Sequence, residues 1–151
     1  MIRIALVIPS YNRKSVLIEA IESLRKNMHR QLLERFSIDI TPCLYIQGAT
    51  EEEKSEYVVK LGGWAKFEFV PKYTKPVIGA INKDALLSFV SELDRSQFFM
   101  LCDDDFLVRE STQDELERFY MMINHMTTNK VVVGSAKLKN PKNFKARPWL
   151  S

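Results

Sequence analysis

Gln97-Phe98-Phe99-Met100-Leu101-Cys102-Asp103-Asp104-Asp105 passes directly from apolar residues into three carboxylates. The apolar half has the length and near-continuous hydrophobicity of a strand buried on both faces of a sheet. The acidic half is awkward in that position, because adjacent carboxylates repel and each is costly to remove from water. A divalent cation at the strand end relieves both costs. Mg²⁺ and Mn²⁺ prefer carboxylate oxygen and keep phosphate oxygens in their shells. A plainer reading stands beside it, in which the Asp residues form a polar turn that caps the next helix.

The pattern repeats outward from this stretch. Ile2-Arg3-Ile4-Ala5-Leu6-Val7-Ile8 reads as a buried first strand closed by Pro9, with the polar loop Ser10-Tyr11-Asn12-Arg13 behind it. Leu17, Ala20, Ile21, Leu24 and Met28 recur at helical spacing toward Leu32. Residues 38–46 form a second strand, whose first half Pro42 weakens. Thr50-Glu51-Glu52-Glu53 has the spacing of a capping box, and Gly62-Gly63 ends the helix it starts. Phe67-Glu68-Phe69-Val70 is a third strand closed by Pro71, followed by the basic loop Lys72-Tyr73-Thr74-Lys75-Pro76. One helix runs through Ile78, Ile81, Ala85, Phe89 and Leu93 to the central strand at Gln97. Thr112-Gln113-Asp114-Glu115 opens a further helix, and Lys130-Val131-Val132-Val133-Gly134-Ser135-Ala136 reads as a fifth strand.

Alternating strands and helices predict an α/β fold, Rossmann-like, with a mainly parallel sheet between two helical layers. Ligands in such sheets sit beyond the carboxyl ends of the strands, where strand order reverses. The first and fourth strands must then be neighbours for the loops at Pro9 and Asp103 to open onto one crevice. The predicted domain covers residues 1–136, and 137–151 form a basic tail.

Composition narrows the class. The 151 residues are 46% hydrophobic and 27% charged, as in a globular domain with a real core. No apolar run approaches the roughly 18 residues that span a bilayer, and the N-terminus lacks a signal-peptide cleavage site. The two cysteines, Cys43 and Cys102, lie in strand-like runs, so a reducing cytoplasm is expected rather than a disulfide framework. Lys137, Lys139, Lys142, Lys145 and Arg147 fall in a tail without acids. The rest of the chain keeps 17 basic residues against all 19 acidic ones. Such a tail is ordinarily solvated; contact with nucleic acid or an anionic membrane is the secondary reading. No P-loop, no Gly-x-Gly-x-x-Gly, no Gly-x-Ser-x-Gly elbow and no Cys/His zinc spacing occurs.

Val7-Ile8-Pro9-Ser10-Tyr11-Asn12-Arg13 and Leu101-Cys102-Asp103-Asp104-Asp105 together resemble the family 2 glycosyltransferases and their relatives with the GT-A fold. The first looks like that family's opening strand and Pro-x-Tyr-Asn loop, the second like its Asp-x-Asp motif after the fourth strand. Pro76-Val77-Ile78-Gly79-Ala80-Ile81-Asn82-Lys83-Asp84-Ala85-Leu86 is similar to the helix after the third strand, although Ile81 stands near the place of the usual Arg. The likeness covers residues 1–136, the nucleotide-sugar half of such enzymes.

The resemblance implies sugar transfer from a nucleoside diphosphate sugar, a UDP-sugar first, to an unknown acceptor, with Mn²⁺ or Mg²⁺ and inversion. Asp105 would be the main metal ligand, with Asp103 on the ribose or a metal-bound water. Asp104 would either take part or turn away, as alternate strand residues do. Pro9, Tyr11 and Asn12 would frame the nucleoside, Gln47 would meet the base and Lys75 a phosphate. No catalytic base is identified. Glu110 and Asp114 are candidates, with Glu115 beside them, but helix capping accounts for Thr112 to Glu115. His29 and His125 read as packing or surface residues. The rival reading is a nucleotide-sugar-binding module without turnover, or one completed by a partner, because the acceptor half of such enzymes has no counterpart here.

Overall fold

The computed structural model describes residues 1–129. The predicted fifth strand and basic tail lie outside them. The chain divides into a unit of Met1–Glu110 and a second beginning at Ser111. The first unit contains β1 (Ile2–Tyr11), α1 (Lys14–Leu24), a π-helical turn (Arg25–His29), α2 (Arg30–Phe36), β2 (Ile38–Gln47), α3 (Glu51–Leu61), β3 (Lys66–Val70), α4 (Ile78–Ser88), α5 (Val90–Arg95) and β4 (Phe98–Leu101). The second contributes α6 (Gln113–Thr128).

The four strands form one sheet in the order β3-β2-β1-β4, and every pairing is parallel. Helices flank it in a Rossmann-like, three-layer α/β arrangement. Ala5, Val7, Cys43 and Tyr45 pack against Ile81, Ala85 and Phe89 of the α4–α5 layer. The alternate residues Ile4, Ile8 and Leu44 are fully buried, as side-chain alternation requires for the opposite face. Burying each such Ile or Leu contributes roughly 1.5–3 kcal/mol before chain entropy is set against it.

Pro9 and Pro42 lie inside strands, contrary to the expected end at Pro9, and the ladder shows why. The Val7 carbonyl accepts from Cys102 N at 3.0 Å, so odd residues of β1 turn their backbone groups toward β4. Pro9 faces the same side beyond the last β4 pair, Val7 with Leu101, so its missing N–H removes no ladder bond. In β2 the even residues face β3, whose first pair is Cys43 with Lys66. Pro42 precedes that pair, and the Ile40 carbonyl on the same side accepts from Trp64 Nε1 at 2.7 Å instead.

Two helices depart from their expected form. The helix after β1 widens into the π turn, which sets His29 2.9 Å from Asp39 Oδ1 and stacks its ring on Trp64 with centroids 4.7 Å apart. The helix after β3 breaks at Phe89, whose φ of −110° is not helical. The Thr50 capping box forms as expected: Thr50 Oγ1 accepts from Glu53 N at 3.1 Å and Glu53 Oε1 from Thr50 N at 3.0 Å. The one at Thr112 and Glu115 forms in the same way. β4 is not buried on both faces as expected. It is one of the two outer strands of the described sheet, and Phe99 and Met100 are 55% and 43% exposed. No helix among the described residues is long and apolar enough to cross a membrane.

The core holds ionisable groups that resist losing a proton. Burial pushes the Cys43 thiol from 9.0 up to about 12 and the Tyr57 hydroxyl from 10.0 up to about 12. A raised folded value means that the unfolded chain ionises first. The stability these groups contribute is complete below pH 9.0 and is lost as pH climbs toward about 12. Urea midpoints measured across that range are expected to fall steadily, and more gently in Tyr57→Phe.

Candidate functional site

β1 and β4 are neighbours, and strand order reverses between them. The chain steps from β1 outward to β2 and β3, then crosses through α4 to the other side of β1. The loops at their carboxyl ends therefore meet. They border a cleft of about 260 Å³ lined from β1 by Pro9, Ser10 and Tyr11, from the turn after it by Arg13, and from β2 by Gln47. Ile78, Ile81 and Asn82 line it from the start of α4, and Asp103 and Asp104 from beyond β4.

A buried hydrogen bond joins the end of β1 to the loop after β4: Ser10 Oγ donates to Asp104 Oδ2 at 2.7 Å. Arg13 Nη1 adds a contact to Asp104 Oδ1 at 3.3 Å and reaches Asp105 Oδ2 at 3.6 Å. Asp104 is the buried member of the triplet, while Asp103 and Asp105 are exposed. Asp103 lines the cleft, and its carboxylate takes no hydrogen bond or ion pair among the described residues. Cys102, at the head of the triplet, has its thiol pushed up to about 11 by burial first and then by the charges of Asp103, Asp105 and Asp104.

The other wall is built on β2 and the loop after β3. Gly48 has a φ of +66°, a left-handed value that favours glycine, and donates to the Val70 carbonyl at 2.8 Å. A side chain there would lie 3.5 Å from the Tyr11 ring. Tyr11 is 41% exposed, and Lys72 Nζ sits 5.2 Å from its ring centroid. Gln47 Oε1 accepts from Tyr73 N at 3.3 Å, which leaves the amide NH₂ as the donor end. The Tyr73 hydroxyl donates to Asp84 Oδ2 at 2.5 Å and lies 2.6 Å from the Tyr45 hydroxyl, tying the loop to α4 and β2 together. Those bonds hold the Tyr73 hydroxyl well above its ordinary range, Asp84 foremost.

The cleft thus brings together five of the residues singled out in the sequence: Pro9, Tyr11, Gln47, Asp103 and Asp104. Asn12, Lys75 and Asp105 do not line it. Asn12 adopts a left-handed φ of 53° that turns the chain toward Arg13, and Asp105 lies against Arg13. Lys72 rather than Lys75 approaches Tyr11. Glu110 is exposed at the end of the first unit. Asp114 pairs with Arg118 at 3.0 Å in the first turn of α6, and Glu115 completes the Thr112 cap.

Ser10, Arg13 and Asn82 were not singled out, although all three lie inside the motifs quoted above. A basic or small polar residue in a loop reads as solvated until its partner is known. Among the described residues no group of three or more His, Cys, Asp or Glu side chains converges as a metal shell. In comparison with known proteins, no family model matches the chain and no curated protein matches it significantly.

Proposed function

We propose that this cleft binds a nucleoside diphosphate sugar and that the protein is a glycosyltransferase of the GT-A type, resembling family 2, which transfers the sugar to an acceptor with inversion. One observation carries the reading. The Pro-x-Tyr-Asn loop and the Asp triplet, far apart in sequence, border one cleft at the switch point and are joined there by the Ser10–Asp104 bond.

The donor set suits a hard divalent ion. Mg²⁺ and Mn²⁺ sites near phosphates use one or two carboxylates, with phosphate and water oxygens completing the shell. Asp103, unpaired in the cleft, and Asp105 beside it are the carboxylates that would hold it. When bound, the ion supplies charge that stabilises the departing diphosphate. Asp104 serves as the anchor of the two loops. Tyr11 offers its exposed ring to base or ribose. Gln47, with its oxygen engaged by Tyr73 N, presents N–H donors to a base carbonyl, a group that uracil shares with other bases, and a UDP-sugar as donor rests on the resemblance. The unpaired cysteines accord with a reducing, cytoplasmic setting as part of this proposal.

The test is a thermal-shift titration with UDP, GDP, CDP and dTDP, each with and without Mn²⁺. UDP with Mn²⁺ at 100 times its dissociation constant should stabilise the fold by about 2.7 kcal/mol. Asp103→Asn and Asp105→Asn should each remove the metal-dependent part. No response to any nucleotide would overturn the reading. The rival, binding without turnover, is separated from it by slow hydrolysis of the donor, which only the enzyme performs.

A further inference from the structure

Arg13 stands where a cation at the Asp triplet would stand. It follows the left-handed turn at Asn12, lines the cleft, and sets one guanidinium nitrogen 3.3 Å from Asp104 and 3.6 Å from Asp105. Two of the three carboxylates are therefore already balanced by a side chain, and Asp103 alone is left without such a partner. A guanidinium keeps its charge at any ordinary pH, so it cannot yield by losing a proton. A divalent ion entering beside it meets a fixed positive charge and a carboxylate already in use.

A diphosphate changes that balance. It brings several negative oxygens into the cleft and offers the planar guanidinium the paired acceptors that it matches best. Arg13 is half-exposed, so its side chain has room to turn from Asp105 toward such oxygens. Asp104 keeps its own bond to Ser10 and does not depend on Arg13 for a partner.

We propose that Arg13 makes divalent-metal binding conditional on the diphosphate: it holds Asp105 while the cleft lacks nucleotide and releases it when a diphosphate takes the guanidinium. Arg13 is a positioning residue in this scheme, and the proposal rests on the nucleotide-sugar reading above. Its consequence is cooperativity between metal and nucleotide. By linkage, the factor by which UDP tightens Mn²⁺ equals the factor by which Mn²⁺ tightens UDP.

The test reads Mn²⁺ affinity from the paramagnetic signal of free Mn²⁺, in the full chain with and without UDP, after subtracting the Mn²⁺ that UDP takes up without protein. In the natural protein UDP should tighten Mn²⁺ by about tenfold or more. Arg13→Gln should bind Mn²⁺ alone about tenfold more tightly than the natural protein, with the UDP effect smaller by that same factor; what remains comes from diphosphate oxygens on the ion itself. Arg13→Lys, which keeps the charge, should retain most of the effect. Equal Mn²⁺ affinity in the natural protein and Arg13→Gln without UDP, with UDP still tightening both, would overturn the role of Arg13 and leave the nucleotide site standing. No Mn²⁺ binding by any form, with or without UDP, would overturn both.

Discussion

Asp104→Ala is expected to destabilise the protein by about 2–3 kcal/mol and to abolish nucleotide binding. The stability loss follows from what the carboxylate leaves behind. Ser10 is 4% exposed, and its hydroxyl has Asp104 as its buried acceptor. Leaving a buried donor unsatisfied costs about 1–3 kcal/mol, and the lost side chain adds a small void. Arg13 contributes little to this sum, because its contact is half-exposed and screened by solvent. The loss of binding follows from position, since Asp104 fastens the loop after β4 to the end of β1 and both line the cleft. Asp105→Ala is the contrasting control. Asp105 is exposed, so its removal should change stability by less than about 0.5 kcal/mol. Urea denaturation of both variants checks the pair. Equal stability for Asp104→Ala and the natural protein would show that some other contact holds the loops together.

Tyr73→Phe is expected to cost about 2 kcal/mol and to weaken nucleotide binding without touching the nucleotide. Its hydroxyl is shared by Asp84 and Tyr45. Asp84 is partly exposed and can turn to water, but Tyr45 is 4% exposed, and its hydroxyl would be stranded. The loop carrying Lys72 and the Tyr73 N–H would then lose its tie to α4, and Gln47 its fixed orientation. Calorimetric titration with UDP should show weaker affinity, and Tyr45→Phe, which leaves Tyr73 bound to Asp84, a smaller effect. Unchanged affinity in Tyr73→Phe would place the loop's support elsewhere.

The alternation of strands and helices was legible because apolar periods of two and of about four survive any change of partner, and the caps at Thr50 and Thr112 are local chemistry. Prolines misled where the ladder was invisible: only the register of β4 and β3 shows that Pro9 and Pro42 face places without a neighbour strand. The π turn at Arg25–His29 leaves the apolar spacing nearly helical, so no residue announces it. Within the site, Asp104 could not be ranked against its neighbours. Side-chain alternation holds within a strand, and β4 ends at Leu101, before the triplet begins. Which carboxylate turns inward is decided by Ser10 and Arg13, 94 and 91 residues away.

That separation bears on how the chain assembles. β1 pairs with β2 across one short crossover, but with β4 only after most of the first unit has been made. Contacts so distant in sequence form slowly, because a long loop must close before they return any energy. At roughly 5–20 residues per second, the ribosome delivers β4 a few seconds after β3. For that interval the β1–β2–β3 module can exist with one flank of β1 open, and the two walls of the cleft are not yet in contact. Nascent chains halted shortly before Phe98 should therefore engage chaperones through that open flank, and the step that completes the sheet of the first unit is the one that creates the cleft.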